Sequence, residues 1–110
     1  MRKRELRADV RMSVSLKGAL HSGEAWSACR VLDMSDSGFL ILFSQEFSVG
    51  QILDFRCELY PGKTLSCKIE IRHASNKGMG SKIVEIDERG STLLQTFLQE
   101  QYSNRLDKSR

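Results

Sequence analysis

The chain has 110 residues, 40% of them hydrophobic and 28% charged, which is enough for one folded domain with a single core. No apolar stretch is long enough to cross a bilayer, so we expect a cytoplasmic protein without membrane insertion. The three cysteines form no CxxC pair, which argues against a disulfide framework or a zinc site. Each lies in phase with apolar neighbours, and we predict that Cys29, Cys57 and Cys67 are buried thiols.

Apolar and polar residues alternate along most of the chain, which predicts six short strands. In chain order these strands cover residues 10–17, 26–33, 39–43, 53–59, 65–71 and 79–86. Near the C-terminus the period changes, and apolar residues fall on one face of a helix at about 90–102, with Ser91 as its predicted N-cap. Residues 103–110 are polar and are predicted to be frayed.

Short strands at roughly ten-residue spacing predict an all-β fold, either an antiparallel barrel or a sandwich, with the helix covering an open edge or end. We therefore predict one domain over residues 10–102. Residues 1–11 form a basic N-terminal arm, predicted to be flexible, that contains five of the 17 basic residues and two of the 14 acidic ones. The rest of the chain is balanced in charge, so the net charge of +3 lies in the arm, which favours an anionic partner.

Signatures of catalysis are weak. His21 and His73 are far apart in sequence, and His73 continues the alternation of the fifth strand, which favours a packed or rim position. The chain contains no GxSxG, HExxH or P-loop pattern. We expect no enzymatic activity, no cofactor and no metal site.

The hexapeptide DMSDSG, residues 33–38, stands between two apolar runs. One interpretation is structural: Asp33 bonds the backbone of its own turn, and Gly38 provides a positive φ or allows close backbone approach. The other is functional: Asp33 offers a carboxylate, Ser35 a hydroxyl and a backbone N–H, and Gly38 an open approach. These groups complement the Watson–Crick edge of guanine, and arginine complements its O6 and N7 acceptors. Both interpretations stay open on these residues alone.

The chain has a basic RxxxR-type segment, a strand that begins a few residues later and the DxSxxG motif that follows it. In these features it resembles the PilZ domain, the bacterial receptor module for cyclic di-GMP. The resemblance covers nearly the whole chain, including FLIL after the turn, a late strand with Gly80 and the C-terminal helix. It implies a six-stranded antiparallel β-barrel with one C-terminal helix. It also implies cyclic di-GMP as the ligand, with the binding residues Arg2, Lys3, Arg4, Arg7, Arg11, Asp33, Ser35 and Gly38.

The position of the arginine pair allows two registers. In the preferred register Arg7 is the second arginine and Lys3 occupies the first position, with Arg2 or Arg4 standing in for it. Lysine keeps the charge but lacks the bidentate fork of arginine. In the second register, a literal match to RxxxR, the two arginines are Arg7 and Arg11. Because Arg11 lies on the polar side of the first predicted strand, its side chain is expected to point to solvent.

The leading hypothesis is a cyclic di-GMP receptor or adaptor that acts through an unidentified effector protein. By resemblance its output would be motility, pili, biofilm or exopolysaccharide. The alternative is a nucleotide-independent interaction module of the same fold, acting in pilus or flagellar assembly. A small nucleic-acid-binding barrel is a third reading, opposed by the charge-balanced body and the scattered aromatic residues Trp26, Tyr60 and Tyr102.

Overall fold

The computed structural model describes residues 10–45 and 47–108. The predicted arm residues Arg2, Lys3, Arg4 and Arg7 lie outside these ranges. The described chain forms six strands and one helix: β1 (Met12–His21), β2 (Trp26–Met34), β3 (Gly38–Leu42), β4 (Ile52–Tyr60), β5 (Lys63–Ser75), β6 (Gly78–Glu85) and α1 (Glu88–Lys108).

The strands pair antiparallel in the order β1-β2-β3-β6-β5-β4, and β4 pairs with β1 to close a barrel. This confirms the predicted six-stranded antiparallel barrel with one C-terminal helix. Alternation alone could not separate a barrel from a sandwich. Pairing of Gly18 with Cys57 and of His21 with Asp54 closes the barrel between β1 and β4.

The inward face of each strand carries the apolar residues of the alternation, and these fill the barrel. The rings of Phe39 and Phe55 meet with centroids 4.6 Å apart. Cys57 and Cys67 are buried as predicted, whereas Cys29 is half-buried. Burial raises the pKa of the Cys57 and Cys67 thiols to about 12 and that of Cys29 to about 11, so all three stay protonated near neutral pH.

Helix α1 packs its buried side chains Leu94, Phe97 and Leu98 against the barrel. It begins earlier than predicted because Asp87, and not Ser91, caps it: the Asp87 Oδ1 accepts the Gly90 N–H at 2.7 Å. It also continues to Lys108, beyond the predicted end at about residue 102. No helix in the described ranges is long and apolar enough to cross a membrane.

Candidate ligand-binding site

The turn between β2 and β3 is held by hydrogen bonds within the DMSDSG hexapeptide. The Ser35 N–H donates to the Gly38 carbonyl at 2.9 Å, and the Ser37 N–H donates to the Ser35 Oγ at 3.1 Å. The Ser37 carbonyl accepts the Ile83 N–H at 2.7 Å, which ties the turn to β6. Serine is suited to such a turn because its short hydroxyl can bond backbone groups two residues away. The turn is therefore bonded both within itself and to the neighbouring strand β6.

Ser35 and Gly38 shape this turn rather than present groups to solvent. Ser35 is fully buried, with its N–H and hydroxyl both bonded inside the turn. A Cβ on Gly38 would lie 1.9 Å from the Ser81 carbonyl oxygen. Gly38 therefore allows β3 to approach β6 closely, which was one of the two structural roles predicted for it. The Ser35 N–H and hydroxyl are bonded within the turn and Gly38 lies against β6, and contact of either residue with a ligand stays a prediction.

Asp33 presents its carboxylate on the exposed side of the turn, where Arg11 binds it. The Arg11 Nη2 lies 2.7 Å and its Nε 2.9 Å from the same oxygen, Oδ1. The Asp33 side chain keeps 24% of its exposure and that of Arg11 keeps 43%. Within the described ranges no hydrogen bond involves the second oxygen, Oδ2. The pair thus offers solvent an acceptor on Asp33 beside the guanidinium of Arg11.

The start of β1 explains why Arg11 reaches Asp33. The first strand begins at Met12, two residues later than predicted, so Arg11 lies just before the strand. Ser13 pairs with Asp33 across β1 and β2, which brings the residue just before the strand to the end of the turn. Arg11 is exposed, as expected, and its guanidinium in addition binds Asp33.

A band of outward-facing positions continues from Asp33 across the barrel. Asp33 pairs with Leu40, Leu40 with Gly80, and Gly80 with His73. Three steps between neighbouring strands make this band about 14 Å wide. The His73 ring covers Gly80, since a Cβ there would lie 2.0 Å from the His73 Nε2. His73 is exposed, in keeping with the predicted rim position. Because Gly80 has no side chain, the His73 imidazole can pack directly on its backbone.

Arg105 is a residue near the site that the sequence did not indicate. Its guanidinium donates to the carbonyl of Ser13, the residue opposite Asp33. It lies in the segment predicted to be frayed, and only the extension of α1 brings it to the start of β1. A second arginine therefore lies beside the strand that positions Arg11.

Comparisons with known proteins agree with this architecture. A protein-family model described as PilZ domain matches residues 5–100. No curated protein matches the chain. Among solved structures, the Bacillus subtilis inhibitor of motility, MotI/DgrA, is similar with a TM-score of 0.75 and 18% identity. The match covers 94% of this chain and 55% of that one, so the chain spans about half the length of MotI/DgrA, and the likeness is one of fold.

Proposed function

The chain belongs to the PilZ domain family, and we propose that it is a receptor for cyclic di-GMP that transmits binding to a partner protein. Modules of this family act as receptors or adaptors, so no catalytic step is assigned to the chain. The observation that carries the proposal is the Arg11–Asp33 pair on the exposed side of the turn.

The two side chains complement a guanine base. The Asp33 Oδ2 can accept hydrogen bonds from the N1–H and N2–H₂ groups of the Watson–Crick edge. The Arg11 guanidinium has N–H groups beyond the two that bind Oδ1, and these suit guanine O6 and N7 or a phosphate oxygen. Adenine offers an acceptor at N1 where guanine has a donor, so a carboxylate at this position discriminates against it. The buried Ser35 and Gly38 hold Asp33 in place.

The basic arm before Arg11 would supply the remaining cations for the two phosphates of the ligand. In this proposal Arg7 is the first arginine of the pair, and Arg2, Lys3 and Arg4 add positive charge. Contact of the arm with the bound ligand would change the surface that a partner protein meets. Control of motility, pili, biofilm or exopolysaccharide is the proposed output, and MotI/DgrA, an inhibitor of motility, has the same fold.

Calorimetric titration tests the ligand. We expect cyclic di-GMP to bind with a stoichiometry of one or two per chain and cyclic di-AMP to bind at least tenfold more weakly, because losing one charge-assisted hydrogen bond costs about 1.5–3 kcal/mol. Equal affinities for the two nucleotides would contradict the assignment of Asp33 to guanine.

Variants of the arm separate the two arginine registers. In the literal register, Arg7→Ala and Arg11→Ala both weaken binding strongly, and Lys3→Arg changes little. In the register preferred from sequence, Arg7→Ala is damaging, Arg11→Ala is mild and Lys3→Arg strengthens binding. The contact between Arg11 and Asp33 leads us to expect the first pattern. Arg89→Ala, an exposed arginine in the first turn of α1, is the matched control for lost charge.

A nucleotide-independent interaction module is the second candidate, and the same ion pair favours it. Arg11 already satisfies Oδ1 of Asp33 through two of its nitrogens, so the pair can close the turn without any ligand. In that case neither the parent protein nor Asp33→Ala gives heat with either nucleotide, and Asp33→Ala only lowers the free energy of unfolding.

A further inference from the structure

We propose that the outer face of β2, β1 and β4, which extends from Lys17 and Arg30 to Trp26 at the strand end remote from Asp33, is a docking surface for an acidic segment of a partner protein. We call it the Trp26 face, formed by Lys17, Ala19, Trp26, Ala28, Arg30 and Arg56. The β1–β2 pairing runs from Ser13 and Asp33 at one end to His21 and Trp26 at the other. Eight residues of strand separate the two ends, about 26 Å.

Trp26 and Arg56 form the centre of this face. Trp26 keeps 40% of its surface exposed, and the Arg56 guanidinium carbon lies 4.1 Å from the centroid of its ring. The Trp26 ring also contacts His21, with centroids 5.2 Å apart. Tryptophan and arginine are the residue types that most often dominate the binding energy of protein interfaces. Stacking also fixes the planar guanidinium, so that a partner meets an ordered donor.

The surface beside Trp26 and Arg56 is a shallow depression between longer side chains. Ala19 and Ala28 face each other across β1 and β2, between Trp26 at one end and the Lys17–Arg30 pair at the other. Because their side chains are single methyl groups, the backbone of the two strands lies close to the surface there. The pairing of β1 with β4 ends at Gly18 and Cys57. A depression of about 500 Å³ opens there, and its lining includes Lys17, Ala19, Arg56 and Glu58. A chain segment can therefore approach the barrel closely at this place.

The face is positive because its three cations, Lys17, Arg30 and Arg56, outnumber the carboxylates beside it, Glu58 and Asp54, of which Asp54 is paired with Lys68. Asp54 binds Lys68 at 2.6 Å, and the Glu58 Oε2 accepts the Gly62 N–H at 3.0 Å. Within the described ranges neither Lys17 nor Arg56 is paired with a carboxylate. Arg30 only donates to the Ser15 Oγ at 3.3 Å. Arg56 thus stacks on the exposed tryptophan, and Lys17 and Arg30 lie farther along the same face, which favours an occupant rich in aspartate or glutamate.

The single tryptophan makes this surface directly observable, because Trp26 is the only one in the chain. The test titrates the full-length protein with a blocked poly-glutamate peptide and follows Trp26 fluorescence. A poly-glutamine peptide of the same length and a single-stranded oligoribonucleotide of the same charge serve as comparison probes. We expect a saturable change with poly-glutamate, none with poly-glutamine and a weaker response to the oligoribonucleotide.

Variants decide whether the response belongs to this face. We expect Arg56→Gln to weaken poly-glutamate binding about tenfold, since it removes a charged donor, and Lys17→Gln to weaken it less. The matched controls Arg89→Gln and Lys77→Gln remove exposed charges elsewhere and should leave affinity unchanged. All four variants should keep the circular dichroism and the cyclic di-GMP titration of the parent protein, so this proposal can fail while the nucleotide proposal holds, and the reverse.

Three results would overturn the proposal. Trp26 fluorescence that does not respond to poly-glutamate shows that the face does not take an acidic segment. Equal losses from Arg56→Gln and Arg89→Gln show that only net charge matters. Tighter binding of the oligoribonucleotide assigns the face to nucleic acid instead.

Discussion

Two of the glycine-containing turns of the barrel differ in what they require of glycine. The turn from Asp33 to Gly38 joins β2 and β3, and the turn at Pro61 and Gly62 joins β4 and β5. At Gly62 the backbone has φ of 79°, and nothing lies within 4 Å of an added Cβ. At Gly38 an added Cβ would meet the Ser81 carbonyl oxygen at 1.9 Å. One glycine is required by its conformation and the other by its neighbour.

The two turns also differ in what surrounds them. The Pro61–Gly62 turn is exposed, and a side chain of its own hairpin bonds it: Glu58 accepts the Gly62 N–H. The Asp33–Gly38 turn contains a fully buried serine and is bonded to β6, a strand distant in sequence. A turn that is also bonded to a distant strand can hold a candidate ligand-binding side chain such as Asp33 in one position. A turn bonded only within its own hairpin, such as the Pro61–Gly62 turn, reverses the chain direction and positions no such side chain.

The largest expected effect is at Gly38. Gly38→Ala should lower the free energy of unfolding by about 3 kcal/mol or more, because backbone and not a flexible side chain occupies the position of the new methyl group. Urea unfolding measures the change. A loss below about 1 kcal/mol would show that β3 and β6 can separate at no great cost, and the contrast between the turns would fail.

A smaller loss is expected at Gly62. Gly62→Ala introduces no collision and only places an alanine in the left-handed region, which costs about 1–2 kcal/mol. The same urea experiment compares it with Gly38→Ala. Equal losses for the two variants would mean that conformation alone explains both glycines.

The smallest effect concerns Tyr60, which precedes the exposed turn. Burial and a hydrogen bond of 2.5 Å to Glu100 on α1 raise the pKa of Tyr60 to about 12. The folded protein therefore keeps this proton at a pH where the unfolded chain, with a pKa of about 10, has lost it. The stabilisation is complete below about pH 10 and disappears as the pH rises through 12.

Removing the partner charge tests this coupling. Glu100→Gln should bring the pKa of Tyr60 back towards its usual value, and phenolate absorbance in a Tyr102→Phe background reports Tyr60 alone, because the chain has two tyrosines. An unchanged titration would show that Glu100 does not contribute and that burial is the whole cause.

The strands and the core could be predicted from sequence because alternation directly reflects which face of a strand is buried. The ends of elements could not: Asp87 caps α1 through a side chain that lies outside the apolar pattern, and Arg11 continues the alternation of β1 although the strand begins at Met12. Asp33 was predicted as a site residue, but its pairing with Arg11 depends on the register of two strands. The Trp26 face was missed for the same reason, since Arg56 and Trp26 come from β4 and β2.

The central claim is that Arg11 and Asp33 act together as one anchor for a guanine nucleotide. A double-mutant cycle tests it most directly: cyclic di-GMP is titrated into the parent protein, Arg11→Ala, Asp33→Ala and the double variant. Each single change should weaken binding by about tenfold or more, and the double variant should lose much less than the sum of the two free energies, because either change disrupts the shared contact. Fully additive losses, or no loss from either single change, would contradict the claim.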